Sequence, residues 1–242
     1  MYKTFGLNAG LSIEIWSDIP IGVGLGSSAA TAVATINALN NLFELQLDSH
    51  ELSQYAFEAE KITHAHPSGI DNTISTYGGA ILYKKGKINR IEISSEIPLL
   101  IINSGIAHST KIQVTHVKDL YTAHPSIFKN IFEAIDAISL KVENALRIKK
   151  LEVLGELLDY NQHLLRMLGV STKELDSLIE LVKSYGAIGA KLTGAGGGGC
   201  ILALFNSPDT KKECLSQLKA FNIEVYDTKI NEHGARILHT AK

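Results

Sequence analysis

An α+β fold, as one large domain or as two smaller ones sharing a cleft, is what this sequence predicts, and three observations carry the prediction. Runs that alternate apolar and polar residues, as strands do, occur along the chain together with runs of helical period. The two parts differ in character: the first holds a glycine-rich loop, two helical patterns and a hairpin, whereas the second is mostly helical between short apolar strands. The chain is also long enough, since 242 residues with 45% hydrophobic content bury a substantial core. A soft boundary falls near Ser94–Glu96, dividing residues 1–94 from 95–242.

The elements follow in order. "LSIEIWSDIP" sets Ile13 and Ile15 against Glu14 and Ser17 and stops at Pro20, which predicts a half-buried strand over Ser12–Trp16. From Ser28 to about Phe43, residues Ala29, Ala32, Val33, Ile36, Leu39 and Phe43 fall at helical spacing and predict a buried amphipathic helix. Asp48 and Glu51 have the spacing of a capping box, so a second helix starts there and runs to about His64, with Leu52, Tyr55, Ala56 and Ala59 inside. "NTISTYGG" suggests a further short helix. Ala80–Tyr83 and Ile88–Ile93 read as a hairpin around Gly86. "IPLLIINSG" begins a buried strand, and helices are predicted over Thr110–Tyr121, Ser126–Arg147, Lys150–Leu168 and Thr172–Ser184. Strands are expected at Ala187–Leu192 and Cys200–Phe205, a helix from Pro208, and final strands in "NIEVYDTKI" and "GARIL".

Composition narrows the function. The 23 basic and 25 acidic residues nearly cancel and form no long run of one sign, so nothing marks a nucleic-acid footprint, and a small molecule is the expected partner. No apolar stretch reaches membrane-spanning length, and "MYKTFGLNAG" lacks the apolar core of a signal peptide. Cys200 and Cys214 have no CxxC partner and suit a reducing compartment, so a cytoplasmic location is expected.

Three stretches carry chemistry. In "IGVGLGSSAA" a strand pattern, a loop with glycine at every second position and a helix start follow one another, an arrangement that aims unpaired N–H groups and a helix dipole at one point. Ser27 stands where the dinucleotide fingerprint needs its third glycine, and no lysine precedes the serines as a Walker A loop requires. Ser27 could cap the helix and Ser28 could reach a magnesium ion on phosphates; alternatively the glycines only pack a helix close to a strand. "EAEKITHAHPSGIDN" sets Glu60 near a helix end and Asp71 after a tight loop, as a metal ligand and a base in one cleft would stand. The plainer alternative makes Glu60 a solvated helix residue and Asp71 a cap. Zinc on His64, His66 and Asp71 lacks a further ligand at a recognisable spacing. In "KLTGAGGGGC", five of the six residues Gly194–Gly199 are glycine, a conformational-entropy cost better explained by a second phosphate- or substrate-facing loop than by a turn alone.

Together "PIGVGLGSSAA", "HPSGIDNTISTYGG" and "KLTGAGGGGC" resemble, in family order over Pro20–Cys200, the three motifs of the GHMP kinases. The middle stretch and "NQHLLRMLGVS" are most similar to the members that phosphorylate mevalonate. The resemblance implies a two-subdomain fold with the active site in the cleft between them, and ATP-dependent phosphorylation of the primary hydroxyl of mevalonate, an early step of isoprenoid synthesis. It implies that Gly22, Val23, Gly24, Leu25, Gly26, Ser27 and Ser28 wrap the ATP phosphates, that Ser28 and Glu60 ligate Mg2+, and that Asp71 acts on the substrate hydroxyl. Ser68, Thr110, Gly194, Ala195, Gly196 and Gly197 would lie near substrate or phosphates. Kinases of this kind begin with a strand and turn bearing a "PGK"-like motif that this sequence lacks, so the chain is expected to be N-terminally incomplete, poorly active alone, and able to form a homodimer through its open surface. The competing readings are another member of the family, acting on phosphomevalonate, homoserine or a sugar, and a catalytically weak member that binds a metabolite.

Overall fold

The computed structural model describes residues 5–20, 22–63, 67–84, 86–93, 96–107 and 109–238. Contacts divide the chain into two compact units that do not follow chain order. One comprises Met1–Pro20, Gly26–Gly78 and Glu232–Lys242, and the other Ile21–Leu25 and Gly79–Asn231.

In the first unit, α1 (Ser27–Leu42) forms where the sequence places it, because Ala29, Val33, Ile36 and Leu39 recur on one face and are buried. The reciprocal cap of α2 (Ser49–Thr63) is present: Glu51 N–H donates to Asp48 Oδ1 and Asp48 N–H to Glu51 Oε2, both at 2.9 Å. Between the two helices the Asn40 amide closes the connection, donating to the Leu47 carbonyl at 3.2 Å and accepting from the Leu47 N–H at 2.9 Å. Val33, Ile36, Leu52 and Ala56 form the small core. The third helix, α3 (Ile70–Tyr77), packs on both.

Two expected strands are absent among the described residues. Ser12–Trp16 is unpaired and irregular, with Ile13 53%, Ile15 59% and Trp16 88% exposed. Alternation describes a side-chain pattern, but a strand exists only when a neighbour pairs its backbone, and no described segment does so here. "GARIL" likewise forms no ladder. Its Ala235 N–H donates instead to the Ser75 carbonyl of α3 at 3.0 Å, and Ala235 packs on the core of this unit.

The second unit opens with the expected hairpin, β1 (Ala80–Lys84) antiparallel to β2 (Lys87–Ile91). Its main sheet has four antiparallel strands in the order β4-β5-β3-β6, where β3 is Leu99–Asn103, β4 Gly189–Leu192, β5 Cys200–Leu204 and β6 Val225–Asp227. The helices are α4 (Thr110–Ala123), α5 (Pro125–Arg147), α6 (Leu151–Met167), α7 (Lys173–Ser184) and α8 (Pro208–Ala220). Neighbouring residues of β3 serve different cores: Leu100 and Ile102 join Phe128, Leu175, Ile201 and Leu218, whereas Leu99 joins Ala145, Leu154, Leu158 and Leu204. The open edge of β4 is covered by side chains of α6, since Ala190 N–H donates to Asp159 Oδ1 and Leu192 N–H to Gln162 Oε1, each at 3.0 Å. A Cβ on Gly155 would stand 2.6 Å from the Ile188 carbonyl oxygen, so glycine there lets α6 approach the strand. Among the described residues no helix is long and apolar enough to cross a membrane.

Candidate active site

The glycine loop has the local geometry of an anion cradle. Gly22, Gly24 and Gly26 all adopt left-handed backbone, with φ of 78°, 77° and 69°. Gly26 is the N-cap of α1 and Ser27 its first residue, so the cap is backbone rather than the serine hydroxyl that the sequence offered. The first N–H groups of α1 have no partner within the helix, which makes its start a site for negative charge. Ser28 is exposed in this first turn, and Ser27 is half-buried.

Asp71 lies against this start. It sits exposed in the first turn of α3, after Gly69. A Cβ at Gly26 would be 3.4 Å from Asp71 Cγ and 3.5 Å from its Cβ, at a φ that side chains rarely adopt. Glycine at this one position therefore allows both the left-handed cap and the close approach of the carboxyl group. Asp71 belongs to the first turn and not to the cap, which answers one of the plainer alternatives.

Helix α3 is fastened to α2 by Asn72, whose Nδ2 donates to the carbonyl and to Oγ of Ser53 at 2.9 Å each. Thr73 Oγ1 donates to the Gly69 carbonyl at 2.5 Å and Thr76 Oγ1 to that of Asn72 at 2.7 Å. The same α2 carries Glu60, which is only 6% exposed and so is no solvated surface residue. Ser68 is exposed, and its hydroxyl accepts from the Ile70 N–H at 3.3 Å. His64 and His66 lie outside the described residues.

The second glycine motif joins β4 to β5 in the other unit and meets several segments. A Cβ at Gly194 would come 3.2 Å from the Gly24 carbonyl oxygen of the first loop. Gly197 N–H donates to the Val170 carbonyl at 2.7 Å, Gly199 N–H to that of Ile106 at 2.9 Å, and Ser104 N–H to that of Gly199 at 2.9 Å. At Gly196 a side chain would collide with the Val170 backbone, and at Gly197 with the Gln113 amide. Ala195, between the two, is half-buried. Thr110 is exposed as the first residue of α4, and this helix reaches the glycine motif one turn on, at Gln113.

Several groups here are electrostatically displaced. Burial pushes the Lys191 ammonium, on the strand entering the motif, down to about 8, and its Nζ donates to the Leu192 carbonyl at 2.6 Å. Burial, with Glu224 nearby, pushes the Cys200 thiol up to about 11. Asp176 loses hydration, but hydrogen bonds from Ser171 and Arg166 outweigh that and leave its carboxyl below the usual range. Asn72, Ser53, Gln162 and Val170 escape a reading by residue type, because an amide or a carbonyl in a helical or loop pattern carries no chemical signature of its own.

A left-handed glycine loop at a helix start, with a carboxyl group against it, is the equipment of a phosphoryl-transfer enzyme. The description "GHMP kinases N terminal domain" matches residues 1–79, and "GHMP kinases C terminal" matches residues 142–224. A mevalonate kinase of Pyrococcus abyssi is 39% identical over 234 residues, covering 94% of this chain and 69% of that protein. One of Archaeoglobus fulgidus is 44% identical over 202 residues, 84% of this chain and 68% of that protein. The solved L. major mevalonate kinase in complex with R-mevalonate is 34% identical, with a TM-score of 0.79 over 87% of this chain and 67% of its own. The chain belongs to the GHMP kinase family.

Proposed function

We propose that this protein transfers the terminal phosphoryl group of ATP to the primary hydroxyl of mevalonate, giving 5-phosphomevalonate for isoprenoid synthesis. The observation that carries the reading is the approach of Asp71 to Gly26, which sets a carboxyl group beside a helix start suited to phosphate. Relatives whose names state this activity, with 34–44% identity, support it over acceptors such as homoserine or a sugar.

The chain's own groups divide the work. The loop Gly22–Ser28 and the first N–H groups of α1 bind the phosphates, so that negative charge meets fixed dipoles. Asp71 orients the hydroxyl and accepts its proton as the oxygen bonds to phosphorus and the bond to the ADP oxygen breaks. The Ser28 hydroxyl and the Glu60 carboxylate are hard oxygen donors, the kind Mg2+ takes when substrate phosphates complete its shell, and these two would hold it. Bound there, Mg2+ would neutralise charge on the transferred group. Gly194, Ala195, Gly196 and Gly197, with Ser68 and Thr110, would border substrate and phosphates. Cys200 and Cys214 are both free and buried, which suits a cytoplasmic enzyme.

The test is a coupled ADP-release assay with mevalonate, phosphomevalonate, homoserine and galactose offered separately. Turnover with mevalonate well above the others is expected. Preference for another alcohol, or nucleotide binding without turnover on any of them, would overturn the reading.

A further inference from the structure

One buried side chain reaches both segments that converge on the second glycine motif. Gln162, on α6, is 2% exposed. Its Oε1 accepts from the Leu192 N–H at 3.0 Å, at the end of β4 and directly before Thr193 and Gly194. Its Nε2 donates to Ser171 Oγ at 2.8 Å and to Asp176 Oδ1 at 3.2 Å. Ser171 follows Val170, whose carbonyl receives the Gly197 N–H at 2.7 Å. Asp176 Oδ1 is the hub of the network, accepting also from Ser171 Oγ at 2.7 Å and from Arg166 Nε at 2.8 Å.

We propose that Gln162 is a positioning residue for phosphoryl transfer: it sets the place of Gly194–Gly199 from both sides, through Leu192 and through Ser171 and Val170. The inference rests on the kinase reading given above. Its route to the phosphates is short, because Gly194 rests against the Gly24 carbonyl of the first loop. The residue type suits the task. Only an amide offers an acceptor to a strand N–H and, from the same side chain, donors to a hydroxyl and a carboxylate; Glu cannot donate in its ionised form, and Leu or Met can do neither. Protection of the sheet edge accounts only for the bond from the Leu192 N–H. The donors to Ser171 and Asp176 add nothing to that edge, but they tie it to the loop that holds Gly197.

Three variants of the full chain test this: Ser171→Ala, Ser171→Thr and Gln162→Glu. Amide hydrogen exchange is read at Leu192, Gly197 and Leu202, nucleotide affinity by calorimetry, and kcat and KM with ATP and mevalonate. Ser171→Ala should speed exchange at Gly197 about tenfold and weaken nucleotide binding and raise the KM for ATP about fivefold. Exchange at Leu202, in the middle of β5, and kcat should stay within about twofold. Ser171→Thr keeps the hydroxyl and should restore both. Gln162→Glu, which keeps the acceptor but loses the donors, should loosen Gly197 while Leu192 stays protected. Should that variant not fold, the Ser171 pair decides. Unchanged Gly197 exchange and nucleotide affinity in Ser171→Ala would overturn the inference, as would equal loosening at Leu202 or failure of Ser171→Thr to restore. A parent chain that leaves mevalonate unphosphorylated would remove the proposed reaction, and exchange and nucleotide affinity would still decide whether Gln162 positions the motif.

Discussion

The two glycine-rich loops look alike in sequence and are used differently. Around Gly22 a side chain would meet nothing within 4 Å, so glycine there serves a left-handed backbone. Around Gly196, Gly197 and Gly198 a side chain would meet Val170, Gln113 and Ile106. The second loop is packed glycine, whose lack of Cβ lets three other segments come close. In the first loop glycine serves the left-handed turn, in the second it also admits neighbouring segments, and glycine content alone does not distinguish the two. Gly26 belongs to both kinds, since its φ of 69° forms the cap while its bare α-carbon admits Asp71.

The comparison can be broken or sharpened by substitution. The largest effect is expected at Asp71→Asn, which keeps size but cannot take the proton: kcat should fall by roughly a hundredfold to ten-thousandfold, with nucleotide binding largely intact by calorimetry. Turnover near the parent rate would remove Asp71 from the chemistry. Next, Gly196→Ala adds a backbone collision to an unfavourable φ of 79°, and should cost about 3 kcal/mol or more, seen as a clear drop in urea midpoint. An unchanged midpoint would deny that the second loop is packed scaffold.

Glu60→Gln and Ser28→Ala each remove a hard oxygen ligand or its charge, and a magnesium titration of turnover should shift several-fold upward for each without loss of fold. The smallest change in stability is expected at Gly22→Ala, about 1 kcal/mol from backbone strain alone, accompanied by weaker nucleotide binding. Should Gly22→Ala destabilise as much as Gly196→Ala and leave nucleotide affinity untouched, the distinction between the two loops fails.

Local order was largely legible in the residues. The period of Ala29, Val33, Ile36 and Leu39 sets α1, and the Asp48–Glu51 pair starts α2 where its spacing says, because a helix and its cap satisfy their backbone within a few residues. The hairpin around Gly86 and the strands entering and leaving the second glycine motif are local in the same sense. Motif order was likewise open to a reader of the chain, and with it Ser28, Glu60 and Asp71 as candidate oxygen donors. What only the tertiary structure decided depends on partners distant in sequence. The alternation over Ser12–Trp16 promised a strand, yet no described segment pairs with it; "GARIL" found the backbone of α3 instead of a sheet. Only its burial sets aside the solvated alternative for Glu60, and Gln162 reads as one more amide on α6 until Leu192, Ser171 and Asp176 surround it. Periodicity and capping are short-range and so are written in the order of residues, whereas strand pairing, burial of a polar group and the close approach of Gly26 to Asp71 exist only once separate parts of the chain are brought together.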